Sequence, residues 1–380
     1  MLTSRERVLC ALNHEEPDRV PFFIGASGAS SLLTPAYERL KTFLGVQTEP
    51  RCISRTFQYA RLDEEVLIRL GSDGRPLLSR PAPGPLRREI SADHFIDEWG
   101  VAWQKQPGVL YNEIVSSPLR EATLADLDLY PWPDLAHPSR FVGLAEEARN
   151  LHENTPYAVV ALSGLQPHEM ICLLRGMDTW LMDLVSDLDF AHALLRKVTD
   201  LMIAGATALL KEAGPYIDVI VAGDDLGTDV GLMMSPQTYR KVLKPYHAEM
   251  LAAIKKKTKA KVFFHSDGNI YPLIGDLIEI GVDLLNPVQV SAKDMGDTAR
   301  LKREFGKNIS FCGGIDTHHV LPRGTPEEVR AEVRRRIKDL GPGGGYIAAS
   351  VHCIQPDVPP ENVLAMCDEV AVAGRYPLKL

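Results

Sequence analysis

Through the second half of the chain, short apolar runs end in polar residues of the kinds that carry chemistry. Tyr216 to Ala222 leads into Gly223-Asp224-Asp225, and Val262 to Phe264 leads into His265-Ser266-Asp267-Gly268. Val282 to Leu285 leads into Asn286-Pro287-Val288-Gln289, Ile309 to Phe311 into Cys312-Gly313-Gly314-Ile315-Asp316, and Tyr346 to Ser350 into Val351-His352-Cys353. Runs of this length suit strands buried on both faces. Earlier runs at 20–24, 75–78 and 157–162 bring the set to eight. Helical spacing fills most of the gaps: Thr3 to Asn13 with Ser4 as cap, Met177 to Glu212, Ser235 to Lys257, Tyr271 to Ile280 and Pro326 to Leu340.

Eight alternating units predict an α/β fold, a (β/α)8 TIM barrel, with a doubly wound open sheet as the alternative. No repeat or linker divides the chain, so residues 1–380 read as a single domain. The less regular stretch 80–140 reads as an insertion between early strands, with Phe95 to Gln104 and the segment around Val109 to Val115 forming a hairpin outside the barrel. In a barrel the C-terminal strand ends open on one face, which would gather the polar residues named above. The run Gly341-Pro342-Gly343-Gly344-Gly345 follows a helix and precedes a strand. That is the reverse of a phosphate cradle, and it predicts a tight turn on the opposite face.

Composition narrows the possibilities. The 380 residues are 45% hydrophobic, ordinary for a globular protein with a sizeable core. A formal charge of -8 argues against nucleic-acid binding. No apolar run reaches the length of a membrane span, and the N-terminus lacks the apolar core of a signal peptide. Six scattered cysteines suggest reduced thiols and a cytoplasmic protein.

His265 and Asp267 flank one residue at a strand end, so both can point toward the barrel axis. With Cys353 they would make a three-ligand zinc site that leaves a position open for substrate. The plainer alternative makes Cys353 an inert buried thiol and His265 a hydrogen-bonding substrate contact. Consecutive side chains diverge, so one of Asp224 and Asp225 faces the pocket while the other caps a helix or binds backbone. Asp225 is the candidate acid and Asp224 a candidate substrate contact. Glu169, at the start of the helix after the third strand, and His352 are further candidate acids. Asn286 and Gln289 offer neutral hydrogen bonds to substrate. Cys312 is expected in the core, and His318 and His319 in solvent.

Four of these segments, Val262-Phe-Phe-His-Ser-Asp-Gly-Asn, Gly281-Val-Asp-Leu-Leu-Asn-Pro-Val-Gln, Gly313-Gly-Ile-Asp and His352-Cys-Ile-Gln-Pro-Asp-Val-Pro-Pro-Glu-Asn, resemble the uroporphyrinogen decarboxylase superfamily. The opening, Arg5-Glu-Arg through Pro17-Asp-Arg-Val-Pro, is similar too. The resemblance implies a (β/α)8 barrel and one of two chemistries. The decarboxylases take a substrate bearing many carboxylates and carry Arg-Gln-Ala-Gly-Arg soon after the first strand. Here that place reads Phe22-Phe23-Ile24-Gly25-Ala26-Ser27-Gly28, with no arginine, and an acidic mouth would repel a polyanion.

The other branch comprises methyltransferases that work with cobalamin bound to a corrinoid protein. Its zinc-dependent, thiol-methylating members carry His-x-Cys near the fifth strand and a later Cys. His265 and Cys353 match that pattern, and Asp267 stands where the middle cysteine would be. The resemblance therefore implies transfer of a methyl group from a small donor, such as a methyl ether, to the cobalt of a separate corrinoid protein. Protonation by Asp225, Glu169 or His352, or coordination to zinc, would activate the leaving group. The alternatives are methylation of a thiol from methylcobalamin, porphyrinogen decarboxylation, and a non-catalytic binding barrel. The oligomeric state is open.

Overall fold

In a computed structural model, which describes residues 1–49 and 51–379, the apolar runs form seven parallel strands. These are Gly74–Leu78, Ala158–Leu165, Val219–Gly223, Lys261–His265, Leu284–Asn286, Ser310–Ile315 and Tyr346–Ser350, each paired with the next in sequence. The expected strand at 20–24 closes the ring between the last and the first. Phe22 bridges Ala348 in parallel, with Phe23 N–H donating to Ala348 O at 2.9 Å and Ala348 N–H to Pro21 O at 2.8 Å. On the other side Asp73 N–H donates to Phe22 O at 2.8 Å. This segment makes bridges rather than a full ladder for local reasons. Pro21 has no N–H, and the Phe22 N–H is taken by the Asp73 carboxylate at 2.8 Å. The sheet is thus closed, a (β/α)8 barrel and not an open doubly wound sheet.

Inside the barrel, Phe23, Val160, Val219, Phe263, Leu284, Cys312 and Ile347 interdigitate, and Val8 and Leu12 of the helix Ser4–Leu12 plug the bottom. Each large apolar side chain buried there stabilises the fold by about 1.5–3 kcal/mol. The glycine run also lies at the bottom. Gly345 N–H donates to Ala11 O at 2.8 Å, and a Cβ on Gly344 would lie 2.2 Å from Glu15 O. Gly343, Gly344 and Gly345 all have φ near +70°, which glycine alone adopts freely.

Several expected boundaries move. Thr3, not Ser4, caps the first helix, in a capping box with Glu6. The expected helix Met177 to Glu212 is two helices, Met177–Ser186 and Leu188–Ala213, because the Asp187 carboxylate caps the Phe190 N–H. The stretch from Ser235 to Lys257 contains a π turn, Tyr239–Leu243, where Pro245 cannot donate to the Lys241 carbonyl. Pro326–Leu340 is the helix its spacing predicts.

Between the first two ladder strands lies an antiparallel sheet of four strands, Arg88–Ser91, His94–Ile96, Ala102–Lys105 and Asn112–Ser116. It is larger than the expected hairpin. A second, two-stranded ribbon pairs Arg51–Ser54 with Tyr59–Arg61. Both contribute walls to the cavity at the barrel mouth. No helix among the described residues is long and apolar enough to cross a membrane.

Candidate functional site

The parallel ladder fixes which strand ends meet. His265 pairs with Gly223 on one side and with Asn286 on the other, so residues following three strands converge. Asp225 and His265 border a cavity of about 520 Å³, joined there by Glu169, by His352 and by the aromatic side chains of Phe57, Tyr59 and Tyr111. None of its lining residues is Lys or Arg. A second, polar cavity of about 320 Å³ lies beyond His352 and is bordered by Asp267, Gln289 and Cys353. His352 touches both cavities.

Glu169 is enclosed beside the first cavity, where its carboxyl accepts a hydrogen bond from the Gln166 amide. Burial, reinforced by the nearby Asp225 and Asp224 carboxylates, pushes its pKa up to about 8. Its proton is thus held well above the ordinary carboxylate range. Asp225 is half-exposed, and its Oδ1 accepts from the Asp267 N–H at 2.9 Å and lies 4.0 Å from His265 Nε2.

His265 is held from behind. Its Nδ1 is 2.7 Å from Asn286 Oδ1, while Asn286 Nδ2 donates to Cys312 O at 3.2 Å. With the amide NH₂ so engaged, the amide oxygen faces the ring and Nδ1 must carry the proton. His265 Nε2 points at Asp267 Oδ2, 3.7 Å away. Burial pushes the His265 pKa down, but Asp267, Asp225 and the Asn286 hydrogen bond outweigh it and the pKa is raised. His352 is the reverse case, since burial lowers its pKa and Asp267 only partly compensates. Its Nε2 is also 3.7 Å from Asp267 Oδ2, and its Nδ1 is 3.0 Å from Cys353 Sγ. Asp267 Oδ1 is buried and has no hydrogen-bond partner.

The structure brings Asp225, Glu169, His265, Asp267 and His352 together and withdraws others. The expected substrate contact by Asp224 is corrected. Its side chain is fully enclosed and its oxygens accept from the His168 and Glu169 N–H groups at 2.9 and 2.7 Å, with His247 Nε2 at 2.7 Å. It is the member of the pair that caps a helix, Pro167–Arg175. Asn286 is likewise fully buried and positions His265 instead of meeting substrate. Gln289 borders the polar cavity, with Oε1 accepting from the Gly268 N–H at 2.6 Å and Nε2 donating to Asp229 at 2.7 Å.

Cys353 is buried, and the expected grouping of its thiol with His265 and Asp267 is not the one found. Among the described residues the ligand atoms that gather within 4.8 Å of one another belong to His265, Asp267 and His352. Burial, helped by Asp267, pushes the Cys353 thiol up to about 12. Cys312 lies in the barrel interior, and His318 and His319 are exposed.

Sequence reasoning missed the aromatic wall. Phe57 and Tyr59 stack with ring centroids 5.5 Å apart, and the Tyr111 hydroxyl bonds to Gln355. Phe57 lies in a turn, Tyr59 begins a three-residue strand and Tyr111 directly precedes the strand Asn112–Ser116, segments too short for spacing to mark a cavity wall. His247 was also missed, being a lone histidine on a helix.

Comparison with known proteins adds three findings. A family model described as uroporphyrinogen decarboxylase (URO-D) matches residues 114–372. Uroporphyrinogen decarboxylases from Coxiella burnetii and Thioalkalivibrio sulfidiphilus are 25% and 26% identical over 186 and 148 residues. The Coxiella match covers 48% of this chain and 47% of the relative, and the Thioalkalivibrio match 38% and 40%. The chain thus spans about half the length, or less, of the curated relatives it matches. A solved methyltransferase from Methanosarcina mazei superposes with a TM-score of 0.67 at 19% identity, covering 98% of this chain and 99% of that one, a likeness of fold.

Proposed function

The chain belongs to the uroporphyrinogen decarboxylase family, and from that premise we propose that it is a methyltransferase, moving a methyl group from a small, uncharged methylated donor such as a methyl ether to the cobalt of a partner corrinoid protein. The observation that carries this reading is the cavity of about 520 Å³ lined by a carboxyl of raised pKa, a second carboxylate and two imidazoles, without a Lys or Arg side chain. The whole-length likeness in fold to a methyltransferase supports it.

The reduced corrinoid would supply the nucleophile, whose electron pair forms the new bond to the methyl carbon. What remains for this chain is the leaving group. An ether carbon–oxygen bond breaks with its electron pair going to oxygen, and an unassisted alkoxide or phenoxide departs slowly. Glu169 is the acid placed to protonate that oxygen, because its burial holds the proton well above the ordinary carboxylate range. Asp225, half-exposed and fixed by the Asp267 N–H, anchors the polar end of the donor. Phe57, Tyr59 and Tyr111 pack against its apolar body and exclude water. A zinc ion at the mouth would add Lewis-acid activation of the same oxygen. The orphaned, buried Asp267 Oδ1 and the Nε2 of His265, which Asn286 makes the lone-pair nitrogen of the neutral ring, suit a cation there, since a cation displaces the proton that the same carboxylates would otherwise favour.

The names of the sequence relatives favour a second reading, porphyrinogen decarboxylation. An adjoining cavity of about 480 Å³ does contain Arg80 and Arg140, but Arg140 is ion-paired with Glu98. Holding several carboxylates would need more free positive charge than this.

The deciding experiment mixes the protein with a reduced corrinoid protein and a panel of methyl ethers, methylamines and methyl thioethers. Loss of the cobalt(I) absorption with the ethers is expected. Conversion of uroporphyrinogen to coproporphyrinogen, with no donor methylating cobalt, would instead assign the decarboxylase activity.

A further inference from the structure

We infer that the barrel mouth is a thiolate-free site for a divalent transition-metal ion, with two imidazole nitrogens and one carboxylate oxygen as ligands: His265 Nε2, Asp267 and His352 Nε2. The geometry suits one ion. Both histidine nitrogens lie 3.7 Å from Asp267 Oδ2. Ligands about 2.1 Å from a tetrahedral ion stand about 3.4 Å apart, so only small rotations would bring all three to bonding distance. The three atoms lie within 4.8 Å of one another.

The surroundings prepare these atoms. Asn286 Oδ1 accepts a hydrogen bond from His265 Nδ1 and is itself locked by its bond to Cys312 O, so that in the neutral ring Nε2 is the nitrogen that carries the lone pair and faces Asp267. The Cys353 sulfur, 3.0 Å from His352 Nδ1, can accept that ring's proton in the same way. Cys353 is thereby an orienting partner of a ligand and not a ligand. Its sulfur is also 3.6 Å from Gln355 Nε2 and is not among the atoms that gather within 4.8 Å of one another. Asp267 Oδ1, buried without a partner, is the remaining unsatisfied atom that an ion or its bound water would meet.

Two imidazoles and a carboxylate leave coordination positions open. Without thiolate donation the ion is a stronger Lewis acid toward oxygen than a two-cysteinate site. The inference rests on the methyl-transfer reading only for what the ion would do there. Whether the ion binds, and through which atoms, can be measured without donor or corrinoid.

The test strips the full-length protein with a chelator and titrates it with Co²⁺, reading heat and absorption. One equivalent should bind, with visible ligand-field bands and no thiolate-to-cobalt charge transfer in the near ultraviolet. His352→Ala and Asp267→Ala should each weaken binding at least about a hundredfold, one ligand's share of a metal site's affinity. Cys353→Ser should stay within about tenfold, as an outer partner does. A charge-transfer band that disappears in Cys353→Ser, or the absence of stoichiometric binding to wild type, would overturn the assignment. The wild-type spectrum needs no variant to fold. Metal bound as described, with no methyl transfer from any donor, would refute the methyl-transfer reading and leave this inference intact.

Discussion

Glu169 and Asn286 carry the sharpest tests at the scale of single residues. If the Glu169 proton activates the leaving group, the rate falls as pH rises through about 8, where the buried carboxyl ionises. Glu169→Gln should cost about a hundredfold to ten-thousandfold in the methyl-transfer step and abolish that pH limb, and stopped-flow cobalt absorption reads both. The same shift affects stability with a definite sign. A carboxyl whose folded pKa is raised contributes stability fully present below the ordinary carboxylate range and lost as pH climbs to about 8. Denaturant unfolding should therefore show Glu169→Gln gaining on wild type by a few kcal/mol between pH 5 and pH 9. A constant difference across that range would contradict the burial argument. Asn286 acts one step removed. Asn286→Ala frees the His265 ring to rotate and to change tautomer, so Co²⁺ affinity should drop about ten- to a hundredfold while the three ligands remain.

Asp224 shows what a single element contributes. The helix Pro167–Arg175 presents Glu169 to the cavity, and its first N–H groups, from His168 and Glu169, end on the Asp224 carboxylate. Asp224→Ala should destabilise the fold by about 3 kcal/mol, since two buried donors lose a charged acceptor. It should also lower activity through a misplaced Glu169, and circular dichroism melts alongside the cobalt assay separate the two effects. Two adjacent acids after a strand announced that one would face the pocket, but nothing in the string said which, because the choice depends on a helix 55 residues earlier. The same limit applies to His352 and Cys353. Their strand end was legible from the apolar run Tyr346 to Ser350, yet which neighbour faces Asp267 is set by turn geometry. The helix break at Asp187 could have been read from a capping aspartate inside a helical pattern. The aromatic wall could not, because turns and short strands outside the barrel gain their place from the barrel they cover and not from their own periodicity.

Over the whole molecule, the site depends on ring closure. Glu169, Asp225, His265, Asp267 and His352 come from five positions spread over half the chain, and only a closed barrel holds their strand ends at fixed angles. The eight-unit rhythm made the barrel legible, but not how the ring shuts. Closure is carried by Asp73, which is fully buried and accepts from Arg7 at 2.7 Å, from Arg19 at 2.8 and 2.9 Å, and from the Phe22 N–H at 2.8 Å. One carboxylate thus ties the bottom helix, the closing segment 20–24 and the turn before Gly74–Leu78. Removing it leaves the part-buried Arg19 guanidinium without its carboxylate, takes from the buried Arg7 one of its two carboxylate partners, Asp18 remaining, and orphans the buried Phe22 N–H, which together cost far more than the loss of a surface pair. Asp73→Ala should therefore destabilise the protein by about 3–5 kcal/mol in urea unfolding, with faster amide exchange concentrated at 20–24 and 346–350. Asp73→Asn, which keeps the shape and one carbonyl acceptor, should recover only part of that loss. If both variants unfold like wild type, closure does not rest on this carboxylate, and the parallel bonds from Phe23 and Ala348 hold the ring unaided.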